Sequence, residues 1–290
     1  MYLGIGRSST STAFLPLSCL SLLLCAAAGQ REAGALLKWK AALAGADKYL
    51  SSWSSAGNST TSPCSWEFIT CNSAGDVTEL SISSASLNGT LAELDFSAFE
   101  HLETLTLVQN DLYGAIPEAI GNLRSLVSLV IQRNPLLKGP IPRSTGHLTR
   151  LALLRLQALG VEGAIPDEIG NLTGLKELYL DGKNLTGSIP PAVGKLEKLT
   201  WLGLSYNDLA GSIPVEIGNM TELTTIWKGS SQARSPRGDI TPCLGNKSSL
   251  VELNVAGNSF TKISALEGHW CISFLRKQEG KPPTDYIYID

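Results

Sequence analysis

The sequence predicts an α/β solenoid, in which short strands from successive coils stack into one parallel sheet. Two observations carry this. First, an apolar residue recurs at a near-constant spacing. Val77, Leu102, Leu126, Leu151, Leu175, Leu199, Leu223 and Leu250 open eight similar stretches, at steps of 25, 24, 25, 24, 24, 24 and 27 residues. Second, each stretch carries a short apolar/polar alternation, which is strand periodicity. A unit of about 24 residues cannot bury its apolar face alone; it needs a similar unit above and below. The composition fits, since 28 glycines and 14 prolines in 290 residues supply turns in every coil.

Taken in order, the chain divides into a leader over 1–29, an N-terminal cap over 30–76, repeats over 77–268 and a non-repeating tail over 269–290. The leader has a positive charge at Arg7, an apolar run from Ala13 to Cys25 and small residues, Ala26 to Gly29, suited to cleavage. The alternative is a membrane anchor. The run is short for the roughly 20 residues of a span, and Pro16, Ser18 and Ser21 interrupt it. Removal of the leader takes Cys19 and Cys25 with it. It leaves Cys64, Cys71, Cys243 and Cys271, which allow three pairings. In an oxidising compartment disulfides are favoured over metal binding. Sequons at Asn58, Asn88, Asn171, Asn184, Asn219 and Asn246 fit secretion as a glycoprotein.

From Glu32 to Leu50 the apolar residues Leu36, Leu43 and Leu50, with Trp39 and Ala46 between them, predict a helix that Ser51 to Trp53 ends. Such a helix covers the open edge of the first coil. Within the repeats, Leu105 and Leu107 are expected to point inward and Thr104, Thr106 and Val108 outward. The ninth position of the coil is Asn at Asn110, Asn134, Asn207 and Asn258, placed to hydrogen-bond backbone groups of adjoining coils. Ala85, Leu159, Lys183 and Ser231 hold that position elsewhere, so these coils need another solution, such as water. The segment from Lys228 to Asp239 is irregular. Its Arg237-Gly-Asp239 matches an adhesion tripeptide but reads as a polar loop.

The pattern L-x-x-L-x-L-x-x-N-x-L is a leucine-rich-repeat signature. Asn110-Asp-Leu-Tyr-Gly-Ala-Ile-Pro117, Asn184-Leu-Thr-Gly-Ser-Ile-Pro190 and Asp208-Leu-Ala-Gly-Ser-Ile-Pro214 resemble the N-x-L-[ST]-G-x-I-P motif of plant extracellular repeats. Receptor-like-kinase ectodomains and polygalacturonase-inhibiting proteins share that motif. Cys64-Ser-Trp-Glu-Phe-Ile-Thr-Cys71 resembles the family's cap, C-x-W-x-G-[IV]-x-C, with Phe68 in place of glycine, so a different local turn is expected. The resemblance implies a right-handed superhelix with its parallel sheet on the concave face. It also implies a Cys64–Cys71 disulfide, and a Cys243–Cys271 bridge is a further expectation as a C-terminal cap.

A net charge of −3 and the absence of a basic run argue against nucleic-acid binding. His101, His147 and His269 fall in no catalytic or metal motif, so no enzyme activity, cofactor or metal is expected. The outward columns of the sheet are the better candidate. The third, fifth, seventh and eighth positions of each coil include Gln132, Leu153, Gln157, Ser205 and Glu252, and among them Arg133, Arg155, Glu177, Tyr179, Asp181, Trp201, Tyr206 and Trp227 are expected as the partner-binding face. Exposed Trp, Tyr and Arg are the residues that binding hot spots favour. Eight strands about 4.8 Å apart span roughly 34 Å, the length of a peptide of about ten extended residues. The resemblance then implies a secreted recognition protein of the plant cell-wall space. Its partner would be a peptide or protein such as a membrane receptor kinase. The alternative is an inhibitor of a pathogen wall-degrading enzyme such as polygalacturonase, although those proteins usually have about ten repeats and eight cysteines.

Overall fold

The computed structural model describes residues 17–54, 62–182, 184–211, 214–227, 239–240, 252–254, 262–263 and 287–288. The leading helix α1 (Leu17–Ala42) is followed by a short α2 (Ala46–Tyr49). Then come β1 (Ile69–Cys71), β2 (Val77–Ser83), β3 (Asn88–Thr90), β4 (Thr104–Val108), β5 (Asp111–Gly114), β6 (Ser128–Gly139), β7 (Leu153–Val161) and β8 (Gly163–Ala164). The later strands are β9 (Glu177–Tyr179), β10 (Leu185–Thr186), β11 (Trp201–Gly203), β12 (Thr225–Trp227), β13 (Asp239–Ile240), β14 (Glu252–Asn254), β15 (Lys262–Ile263) and β16 (Ile287–Tyr288). The main sheet runs β1-β2-β4-β6-β7-β9-β11-β12-β14-β16, parallel except at its two end strands.

The strand register repeats the spacing of the sequence. Glu79 pairs with Thr104, then in turn come Ser128, Leu153, Glu177, Trp201, Thr225 and Glu252. Alternation fixes the faces. Leu105 and Leu107 are fully buried, while Thr104, Thr106 and Val108 are half-exposed on the outer face. The asparagine ladder forms fully at Asn110 and Asn207, and at Asn134 on its donor side alone, Nδ2 donating to the Leu107 and Gln132 carbonyls while Oδ1 has no partner among the described residues. Asn110 accepts from the Ala85 and Leu87 N–H groups and donates to the Ile82 and Val108 carbonyls. Asn207 accepts from Leu185 N–H and donates to the Leu180 carbonyl. The coil of Leu159 keeps the inter-coil backbone bond that its neighbours make, Ala158 N–H donating to the Asp181 carbonyl at 3.2 Å as Gln109 N–H donates to the Gln132 carbonyl. Asn258 and Ser231 lie outside the described residues, as does Lys183.

The G-x-I-P segments do more than turn the chain. A second, smaller ladder pairs β3 with β5 and β5 with the end of β6, and another pairs β8 with β10. Gly139, at the end of β6, has φ +86°, a left-handed conformation open to glycine without a Cβ clash. On the side away from the main sheet the first coil makes a 3-10 turn capped by Asp95, and the described coils after it make theirs after a proline, as at Pro191–Lys195 and Val215–Asn219. Gly194 presses on the second of these. A Cβ there would lie 2.5 Å from the Glu216 carbonyl oxygen.

The cap departs from one continuous helix. Gly45, with φ +73°, breaks it, and Ala44 N–H instead donates to the Asn88 carbonyl at 2.7 Å. Trp39, Trp53 and Trp66 pack in sequence, with centroids 6.5 and 5.7 Å apart. The indole of Trp39 donates to the Thr90 carbonyl, tying cap to coil. The Cys64–Cys71 disulfide is present. Phe68 adopts a left-handed backbone, φ +70°, a conformation that favours glycine. The ring packs against the core edge, which offsets the conformational cost. Cys64→Ser is expected to cost about 2.5 kcal/mol, the loop-entropy value for eight residues. The loss should appear from the N-terminal end. Hydrogen exchange should quicken over Val77–Ile82 before Leu202; equal protection in both proteins would show the bridge to be irrelevant to stability.

Candidate functional site

The outward face of β7, β9 and β11 carries a built cluster. Arg155 lies opposite Tyr179 in the register, and its guanidinium carbon sits 4.1 Å from that ring's centroid. Trp201, one strand further, packs on the same ring at 5.7 Å with the planes tilted by 31°. The result is a three-strand stack, Arg155–Tyr179–Trp201, whose members are all half-exposed. Each contact is worth about 0.5–1.5 kcal/mol, so the stack arrives ordered before any partner does. The Tyr179 hydroxyl donates to Glu177 at 2.9 Å. Burial first, then the Glu177 carboxylate, holds the Tyr179 phenol above its usual pKa.

Asp181 is placed by the same register. Gly203 stands opposite Tyr179 on β11, and its lack of a side chain admits the Asp181 carboxylate; a Cβ there would lie 2.7 Å from Asp181 Oδ2. Ser205 N–H donates to Asp181 Oδ1 at 2.9 Å and Gln157 Nε2 to Oδ2 at 2.7 Å. Among the described residues no salt bridge reaches this carboxylate. Burial raises its pKa more than the hydrogen bonds lower it. A carboxyl whose pKa is raised by folding stabilises most below its unfolded value, and loses that contribution as pH rises through the folded value. Asp181→Asn is therefore expected to gain on the wild type in melting temperature between pH 4 and pH 7. A constant difference across that range would mean that the charge carries no such cost.

The structure brings Arg155, Glu177, Tyr179, Asp181 and Trp201 together. It does not bring in Arg133 or Tyr206. Both stand at the left-handed kink that follows the outward row, with φ +54° and +57°, and both are exposed apart from the stack. Trp227 lies on β12, paired with Gly203, but its side chain is outside the described residues. Gln157 stands in the seventh outward column, whereas Gly203 was not among the candidates. The one signal for Gly203 was a glycine in a column where Arg155, Tyr179 and Trp227 flank it.

Of the other candidates, Asn88, Asn171 and Asn184 are exposed. The side chain of Asn219 and the whole of Asn58, Asn246, Cys243, Cys271 and the Arg237–Asp239 tripeptide's first two residues lie outside the described residues. No described helix is long and apolar enough to cross a membrane.

Comparison with known proteins agrees with this architecture. The leucine rich repeat N-terminal domain matches residues 30–72, and the Leucine Rich Repeat matches 174–196 and 198–220. A probable leucine-rich repeat receptor-like protein kinase of Arabidopsis thaliana is 39% identical over 105 residues, covering 36% of this chain and 9% of its own length. The crystal structure of PEPR1–AtPEP1 superposes with a TM-score of 0.70 at 28% identity, covering 79% of this chain and 32% of that one. The Arabidopsis HAESA receptor kinase ectodomain, in complex with an N-terminally extended IDA peptide hormone ligand, gives 0.67 at 27% identity, with 81% and 38% covered. The chain thus spans about a tenth of the curated relative and about a third of each receptor structure. Its fold is a leucine-rich-repeat solenoid similar to plant receptor ectodomains.

Proposed function

We propose that the outward face of β7, β9 and β11 binds a peptide or protein partner in the extracellular space of a plant, in recognition or signalling. The observation that carries this reading is the Arg155–Tyr179–Trp201 stack, rigid, half-exposed and flanked by the Glu177 and Asp181 carboxylates. Ordered aromatic and Arg side chains lose little entropy on binding, which is why they dominate hot spots. The solved complex of HAESA with a peptide hormone supports the same use of the fold. A membrane receptor kinase is a further partner class, and glycan at the exposed sequons of Asn88, Asn171 and Asn184 accords with secretion. The relatives reported above are receptors rather than enzyme inhibitors, so the inhibitor reading is not carried further.

Photo-crosslinking tests the placement. A photoreactive side chain at Tyr206, exposed at the kink that follows the outward row of β11, is expected to capture a partner from plant extracellular fluid. The same group at Val215, 64% exposed on the 3-10 side, is expected to capture none. Capture from position 215 alone would move the binding surface to the opposite side of the solenoid.

A further inference from the structure

Glu32 is the one acidic side chain of the cap helix that is buried, at 2% exposure. Its two carboxylate oxygens lie 3.1 and 3.2 Å from a single donor, Val77 N–H, at the start of β2. The charged groups around it do not neutralise it. Asp76, also buried, adds a like charge; it bonds Asn72 and lies 3.8 Å from His101. Arg31 turns away to Ser97 and to Glu100. A buried carboxylate without a counter-charge is costly. Burial, with Asp76 and Glu100 adding to it, raises the Glu32 pKa to about 7.

Three residues upstream, the backbone at Gly29 passes the same turn. A Cβ on Gly29 would lie 4.0 Å from the Gly75 carbonyl oxygen, next to Asp76. Gly29 is also the end of the small-residue stretch Ala26–Gly29. Glu32 stands to Gly29 as the third residue of a helix stands to its N-cap, the spacing at which a Glu side chain reaches back to the N-cap nitrogen. In α1, which runs from Leu17, that nitrogen is an internal amide. We propose that the Ala28–Gly29 bond is hydrolysed and that the Gly29 α-ammonium so released is the counter-charge of Glu32, latching the cap to β2. This rests on the leader reading and is independent of the partner-binding face. A signal-type peptidase adds water across the bond. The water oxygen ends on Ala28 as carboxylate, and the Gly29 nitrogen leaves as an amine that is protonated below its usual pKa of about 8. The helix then begins at the latch, and Glu32 also meets the positive end of its dipole.

The sign follows from linkage. With no ammonium nearby, the raised Glu32 pKa gives stability at acid pH that is lost as pH rises through about 7. With the ammonium paired, that loss is averted until the amine deprotonates. The test uses the full chain made in a secreting eukaryotic host. A second version carries Gly-Ser-Gly-Ser inserted after Ala28, so that the ammonium is displaced. N-terminal sequencing of the secreted wild type is expected to start at Gly29. The melting temperature of the inserted chain is expected to fall behind the wild type by about 4 °C between pH 5 and pH 7.5. In a Glu32→Gln background this gap is not expected to open. A start at any other residue overturns the cleavage site. A gap that stays constant with pH, or one that opens equally with Glu32→Gln, overturns the latch.

Discussion

Gly194→Ala is expected to destabilise the solenoid by about 3 kcal/mol, near the upper end of ordinary overpacking. The added methyl meets backbone rather than a flexible side chain. The Glu216 carbonyl oxygen and Cβ would each be 2.5 Å from it, and the Glu216 carbonyl carbon 2.6 Å. Relief requires the 3-10 turn at Val215–Asn219 to move off the turn at Pro191–Lys195. That turn cannot shift alone, because Ile217 is fully buried in the core. Repeat solenoids gain their stability from contacts between neighbouring coils, so one forced interface weakens cooperation between the halves on either side. The melting temperature should drop by about 6–12 °C. Hydrogen exchange should quicken first around β11 and the coil beyond it. A variant melting within a degree or two of the wild type would show that the coils slide apart at little cost, and the close-packed reading of this side would fail.

Much of this architecture was written in the sequence because its signals are periodic. Leucine and isoleucine at every second position set the faces of β4 and β6, and their spacing set which residues pair across the sheet. The ladder asparagines Asn110, Asn134 and Asn207 could be named because a buried backbone group needs a partner. The second ladder was not legible. Strands of two to four residues such as Leu185–Thr186 show no alternation, and their glycines read as turns. The break at Gly45 was hidden because Leu36, Leu43 and Leu50 keep a helical spacing on both sides of it, and all three are buried. At the candidate site, the outward columns were found, but not which members touch. That depended on Gly203, where the absence of a side chain lets Asp181 lie down, and on the left-handed kinks that set Arg133 and Tyr206 apart.

Trp201→Ala is expected to weaken binding of the partner by about thirtyfold, or about 2 kcal/mol. The indole supplies contact area to the partner. It also holds the Tyr179 ring against Arg155, so its loss frees two further side chains that must then be ordered on binding. Tyr179→Ala should cost at least as much, because it removes the centre of the stack. The two losses should add to less than their sum, since each variant breaks the same contact. Glu216→Ala, on the 3-10 side, is the control. An isolated surface charge is worth under about 1 kcal/mol. The most direct test is the dissociation constant of a purified partner for the wild type, Trp201→Ala and Glu216→Ala, each shown to be folded by its melting curve. A thirtyfold loss at Trp201 with less than a fivefold change at Glu216 is the expected result. Wild-type affinity in Trp201→Ala, or a larger loss at Glu216, would contradict binding on the outward face of the sheet.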